Sequence, residues 1–92
     1  MNYRNGLTFG QALEQLKLGN KVTRENWNGK NMYLYKVKQE LHYPPLSDGE
    51  AWKEGVFEQS DFIVMKTADK KLVPWLASQM DILAEDWSIL LK

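Results

Sequence analysis

The chain contains no cysteine, so disulfides and zinc–thiolate sites are excluded. It contains one histidine, His42, and lacks the cluster of His and acidic ligands that a metal site requires. Neither charge is in excess: twelve Lys and Arg face twelve Asp and Glu. Proteins that wrap nucleic acid carry a basic surplus or stripe, and here the basic residues are dispersed among acidic ones, so general DNA or RNA binding is not expected. A small anionic ligand stays allowed, because a few aligned donors suffice to hold it. No apolar run approaches the ~18–20 residues of a membrane span. Met1–Gly6 has no apolar signal-peptide core, and a small secreted domain would usually carry disulfide staples, so the expectation is a cytoplasmic protein. Glycine-rich phosphate loops and the GxSxG nucleophile elbow are also missing.

What is present fits one domain spanning residues 1–92. The apolar fraction is 43% and the charged fraction 26%, ordinary values for a globular chain. A chain this short buries roughly 60–65% of its surface, and association between copies is one way to supplement so small a core. Aromatic residues make up 12%, four of them Trp. They serve as core filling, as stacking surfaces, or as interface anchors, and composition alone favours the first.

Leu7–Gly19 carries the clearest helical pattern, with Phe9, Ala12, Leu13 and Leu16 on one stripe. Thr8 and Gln11 fit a capping box, and Gly19 suits the left-handed position after the helix. Lys21–Arg24 is short and extended, and Met32–Val37 is rich in β formers. The two read as a hairpin joined by the turn that carries Trp27. Residues 38–60, broken by Pro44-Pro45, Asp48-Gly49 and Gly55, read as a weakly patterned insertion that Trp52 and Phe57 could dock onto the body. Asp61–Lys66 is a strand, Thr67–Lys70 a tight turn, and Lys71–Val73 the returning strand, with Pro74 marking an edge or bulge. Ser78 and Asp81 form a second capping signature before a short helix through about Glu85. Trp87–Leu91 reads as a final strand. The fold class predicted is α+β: a small, mainly antiparallel sheet with one N-terminal helix and a short C-terminal helix.

Little here points to catalysis. Asp81, Glu85 and Asp86 could divide acid and base roles only if their environments separated their pKa values, yet Asp81 already serves as a cap. His42 stands in a loop without a visible partner, the usual setting of a solvated surface histidine. The expectation is therefore no catalytic residue, no metal and no cofactor. A binding constellation is more promising. Trp27 and Trp75 sit in polar, turn-rich contexts, and Trp75 precedes the helix start at Ser78-Gln79. An aromatic plate, backbone N–H groups at a helix start, and scattered Asn, Asp, Thr and Arg are the parts of a nucleotide pocket.

The segments Thr8–Leu13, Arg24–Lys30 with Met32-Tyr33-Leu34, Phe62–Asp69 and Leu72–Trp87 together resemble a phage family, the Thoeris anti-defense two proteins. The resemblance runs in order along nearly the whole chain except residues 38–60, and Val73–Trp87 is its longest specific stretch. Thoeris is a bacterial anti-phage system in which a Toll/interleukin-receptor-type enzyme makes a cyclic ADP-ribose isomer that activates a lethal effector. The resemblance implies a sponge in the cytoplasm of the infected host. Such a protein binds the glycocyclic ADP-ribose signal without cleaving it. Some relatives also take up cyclic oligonucleotides, and the family forms homotetramers with pockets at subunit boundaries.

On that resemblance, Trp27 and Trp75 are expected to stack on the ligand, with core or interface packing the competing role. Asn28, Thr67, Asp69 and Asp81 are expected to bond ribose or adenine edges; for Asp69 and Asp81 a plain turn or cap role competes. Arg24 is the candidate for the pyrophosphate, because its planar fork suits phosphate better than lysine does. Ser78 and Gln79 would present N–H groups, and Met32 would pad the pocket. The chain departs from the family at Glu25-Asn26, where relatives often carry a small residue and Gly before the Trp, which leaves the pose of Trp27 open. Two other classes stay in play: a cyclic nucleotide hydrolase, and an inhibitor that grips a host defence protein with residues 38–60.

Overall fold

A computed structural model describes residues 5–27, 31–38, 40–42 and 57–90, with 40–42 and 57–59 as backbone only. Among them, helix α1 (Phe9–Lys17) starts at Thr8, whose hydroxyl accepts from the Gln11 N–H at 3.2 Å, while Gln11 Oε1 accepts from the Thr8 N–H at 2.9 Å. This is the predicted capping box. The helix ends in a Schellman motif. Gly19 takes φ 95°, its N–H donates to the Leu16 carbonyl, and the Asn20 N–H reaches back to Gln15. The helix starts at Phe9, where the capping box and the apolar stripe put it, one cap residue inside the segment Leu7–Gly19. Leu7 lies outside the helix, its backbone exchanging two hydrogen bonds with Trp87, at 2.8 and 3.1 Å. A peptide unit already paired to a strand cannot take helical dihedrals.

The main sheet holds β1 (Lys21–Arg24), β2 (Tyr33–Val37), β5 (Phe62–Lys66), β6 (Leu72–Pro74) and β7 (Trp87–Leu90) in the order β6-β5-β2-β1-β7. Every neighbouring pair is antiparallel. One cross-strand row, Ile89–Val22–Leu34–Met65–Val73, spans all five strands. Val22 and Leu34 are fully buried there, and α1 covers them with Ala12 and Leu16. The α+β prediction holds, as does the hairpin joining β1 to β2 through the Trp27 turn.

Pro74 sits on the edge strand, as its missing N–H requires. The Trp75 N–H bonds the Ile63 carbonyl, so the hydrogen-bonded pairs of this ladder are 63–75 and 65–73. Pro74 therefore points its imide nitrogen away from β5 and costs the sheet no bond. Helix α2 (Gln79–Leu83) is shorter than predicted and carries the second capping box, Ser78 with Asp81. Its end at Leu83 lets Ala84 turn extended and feed β7.

Residues 38–60 differ from expectation. Strands β3 (Glu40–His42) and β4 (Phe57–Gln59) pair antiparallel as a separate two-stranded sheet, so the insertion is closed at its base. Three-residue strands are too short to show a period of two. Trp52 and the side chains of His42 and Phe57 lie outside the described residues. No helix among the described residues is long and apolar enough to cross a membrane.

Candidate functional site

Three aromatic residues converge on Trp87 (0% exposed), the first residue of β7. Its indole N–H donates to the Asp81 carbonyl at 3.0 Å, which satisfies the buried donor. Trp27 approaches it edge-on at 5.4 Å and 80°, and Trp75 does so at 6.1 Å and 86°. Phe9 at the start of α1 tilts against both Trp75 and Trp87, at 6.0 and 5.5 Å. Such T-shaped pairs add about 0.5–1.5 kcal/mol beyond their buried area. Trp27 and Trp75 are half-buried, so each spends part of its ring on Trp87 and keeps part for solvent or a ligand. The core role and the stacking role weighed for them are thus not exclusive.

Beside this cluster lies a group of charges. Arg24, the last residue of β1, donates from Nε to Asp86 Oδ1 at 2.8 Å and from Nη1 to Asp81 Oδ1 at 3.0 Å. The carboxylates are held from behind as well. Asp86 Oδ2 accepts from the Asn26 N–H at 2.9 Å, and Asp81 Oδ2 accepts from the Ser78 N–H and hydroxyl at 3.2 and 2.9 Å. The Arg24 hydrogen bond holds the Asp86 carboxyl below the ordinary carboxylate range against a smaller opposing effect of burial. For Asp81 burial is the largest influence and pushes upward, but Ser78, Arg24 and Trp27 together outweigh it and leave the pKa lowered. The same contacts, Asp86 first, raise Arg24 further. One cation between two anions leaves the group with a net charge of about −1.

The expected ligand residues fall into three sets. Arg24, Trp27, Ser78, Gln79 and Asp81 gather around α2 and the end of β1, and Trp75 joins them through Trp87. Continuing the β1–β2–β5 register by one step places Met32 and Thr67 in the row of Arg24, at the same end of the sheet. Met32 is half-buried and its carbonyl accepts from the Thr23 hydroxyl. Thr67 and Asp69 form their own turn. The Thr67 hydroxyl donates to Asp69 and accepts from the Lys71 N–H at 2.9 Å, and Lys70 takes φ 67° to close it. That hydroxyl holds the exposed Asp69 carboxyl below its usual range. Asn28 lies outside the described residues.

Two of these placements bear on phosphate binding. The Arg24 fork is committed to carboxylates, and the N–H groups of Ser78 and Asp81 are taken within the capping box, which leaves those of Gln79 and Met80 as first-turn donors. A five-residue helix with an acidic first turn offers a weak field to an anion. A separate open groove, lined by Leu7, Gln11, Glu14 and Gln15, measures about 200 Å³ and contains none of the expected residues. It is smaller than the range of about 300–1,000 Å³ usual for small-molecule sites. No group of three or more His, Cys, Asp or Glu able to hold a metal ion occurs among the described residues.

Sequence reasoning did not single out Trp87 and Phe9 as ring partners, nor Asp86 as the partner of Arg24. The available signal was thin: Arg24 is one of two arginines, and Asp86-Trp87 follows the short helix directly.

Comparison with known proteins gives two matches. Residues 7–90 match the model of the Thoeris anti-defense 2-like domain. The protein Thoeris anti-defense 2 of Bacillus phage SP01 is 45% identical over 85 residues, covering 90% of this chain and 93% of that protein.

Proposed function

The chain belongs to the Thoeris anti-defense 2-like family, whose role is phage action against Thoeris, and from that premise we propose that it works as a sponge. It binds the glycocyclic ADP-ribose signal, leaves it intact, and keeps it from the effector. It acts in the cytoplasm of the infected bacterium and needs no cofactor.

The observation that carries this reading is the pair of half-buried indoles, Trp27 and Trp75, set edge-on to Trp87 beside α2. They offer aromatic surface held rigidly by the core, which suits an adenine ring at low entropic cost. The carboxylates Asp81 and Asp86 are tied to Arg24 and suit structural work better than proton transfer, for which a raised pKa would serve. Sequestration needs affinity and no turnover; nanomolar binding corresponds to about 12 kcal/mol.

One copy offers little depth for a ligand of this size. The apolar side chains next to Trp75 are strongly exposed: Leu76 is 92% exposed, Met80 78% and Leu83 76%. Burying them against a second copy would wall in the indoles and repeat the arrangement by symmetry, so the proposal includes a homo-oligomer, a tetramer, with pockets at subunit boundaries.

The test is recovery of ligand. Protein pre-incubated with glycocyclic ADP-ribose should deplete it from solution and return it intact on heat denaturation. Release of an opened product would replace the sponge with a hydrolase. Native mass spectrometry with a panel of cyclic ADP-ribose isomers, and with cyclic oligonucleotides, reads subunit number and stoichiometry in the same sample.

A further inference from the structure

Arg24 stands where two distant parts of the chain meet, bonding residues 57 and 62 positions away. Its side chain is 12% exposed. Following the bonds outward gives a continuous relay: the Asn26 N–H to Asp86, Asp86 to Arg24, Arg24 to Asp81, and Asp81 to the N–H and hydroxyl of Ser78. One end is the residue before Trp27 and the other is the N-cap of α2, three residues after Trp75. The relay therefore ties together the two segments that carry the half-buried indoles. From the other side, the Trp87 indole N–H grips the Asp81 carbonyl, so α2 is fixed at Asp81 through both its side chain and its backbone.

Charge decides what this group can do for a ligand. A phosphate approaching Arg24 meets two carboxylates within 3.0 Å of the guanidinium. It would have to displace one of them, leaving a part-buried carboxylate without its cation, which is costly. The two bonds also demand two N–H groups fixed in one plane, a geometry that lysine, a point charge on a flexible stem, does not reproduce.

We infer that Arg24 is a positioning residue: together with Asp86 and Asp81 it fixes the Trp27 turn against helix α2, and so the placement of the two indoles relative to one another, and it does not itself hold the ligand's phosphates. This rests on the sponge reading for its ligand readout and on geometry alone for the rest.

Asp86→Asn separates the two roles. It preserves shape and removes one negative charge. If Arg24 bonds phosphate directly, the substitution frees the guanidinium and glycocyclic ADP-ribose binds as well or better. If Arg24 positions, binding measured by calorimetry weakens about tenfold, because a misplaced contact surface loses affinity steeply. R24K should show a similar loss, and the double variant should be no worse than the weaker single, the mark of residues acting as one unit. The free protein supplies an independent readout. In nitrogen–proton spectra the indole N–H peaks of Trp27 and Trp87 should move in D86N and in R24K. Unmoved indole peaks, or D86N binding at wild-type strength or above, would overturn the assignment. Should D86N fail to fold, the indole peaks of R24K decide the assignment, because loss of ligand in R24K is expected on either role. If the wild-type protein takes up no ligand, the sponge reading fails, while the indole peaks still decide whether the relay positions the turn.

Discussion

The Arg24 group and the Thr67–Lys71 turn lie at the same end of the sheet, and both contain polar residues that sequence reading assigned to a ligand. They are built on opposite plans. In the turn, every recorded side-chain bond of Thr67 spans two to four residues, and its carboxylate is exposed. In the Arg24 group the bonds span 57 and 62 residues and the side chains are largely covered. A local network shapes a few residues of backbone and would survive on its own; a long-range one exists only when the whole sheet is assembled, and it transmits its geometry to whatever is attached. Functional precision in this chain is therefore expected where the partners are far apart in sequence.

The sharpest way to break that comparison is to remove the hub. Trp87→Ala should cost about 3–5 kcal/mol, much of the stability of so small a domain, because three aromatic neighbours lose their packing at once. Denaturant titration would read this as a large drop in midpoint; a loss under about 1 kcal/mol would show the hub to be dispensable. Next comes Arg24→Gln, expected to cost about 2 kcal/mol, between the values for exposed and fully buried pairs.

Acid should act in the same place more gently. Asp81 and Asp86 have folded pKa values below their unfolded ones, so their contribution is complete above about pH 4 and is lost as pH falls through the folded values. In Arg24→Gln this acid-sensitive part of the stability curve should flatten; an unchanged curve would place the acid lability elsewhere. For ligand, Trp75→Ala is expected to weaken glycocyclic ADP-ribose binding by about 1–3 kcal/mol in calorimetry, with the fold checked by circular dichroism. Unchanged affinity in a folded variant would remove Trp75 from the ligand site. The smallest effect belongs to the turn: Thr67→Ala should cost about 1 kcal/mol or less, since it removes exposed local bonds. A larger loss, or a tenfold drop in affinity, would erase the contrast between the two regions.

Sequence made the local features legible. Both capping boxes, the Gly19 terminus and the edge position of Pro74 follow from side-chain chemistry acting over a few residues, and each is present. The role of Leu7 was not legible, because its pairing with Trp87 joins positions 80 apart and no window of neighbouring residues contains it. The β3–β4 pair went unseen for a related reason: three residues per strand leave the ladder nothing to advertise. Trp27 and Trp75 were noticed for their polar surroundings, yet the ring that organises them, Trp87, looked like an ordinary strand residue. Arg24 was recognised as chemically special, but its partners could be named only once the chain had closed on itself.

Pro74 has one more consequence. The outward side of β6 can show a neighbour the N–H of Leu72 and carbonyl oxygens, but no second donor at residue 74. Another strand laid along this border would have a carbonyl left without a donor opposite residue 74, which weakens extension of the sheet there. Copies that meet at this border do so more readily through side chains such as Leu72, Leu76 and Met80. Whether such contacts close into a ring or run on is then set by the symmetry of the pairing and not by a backbone ladder.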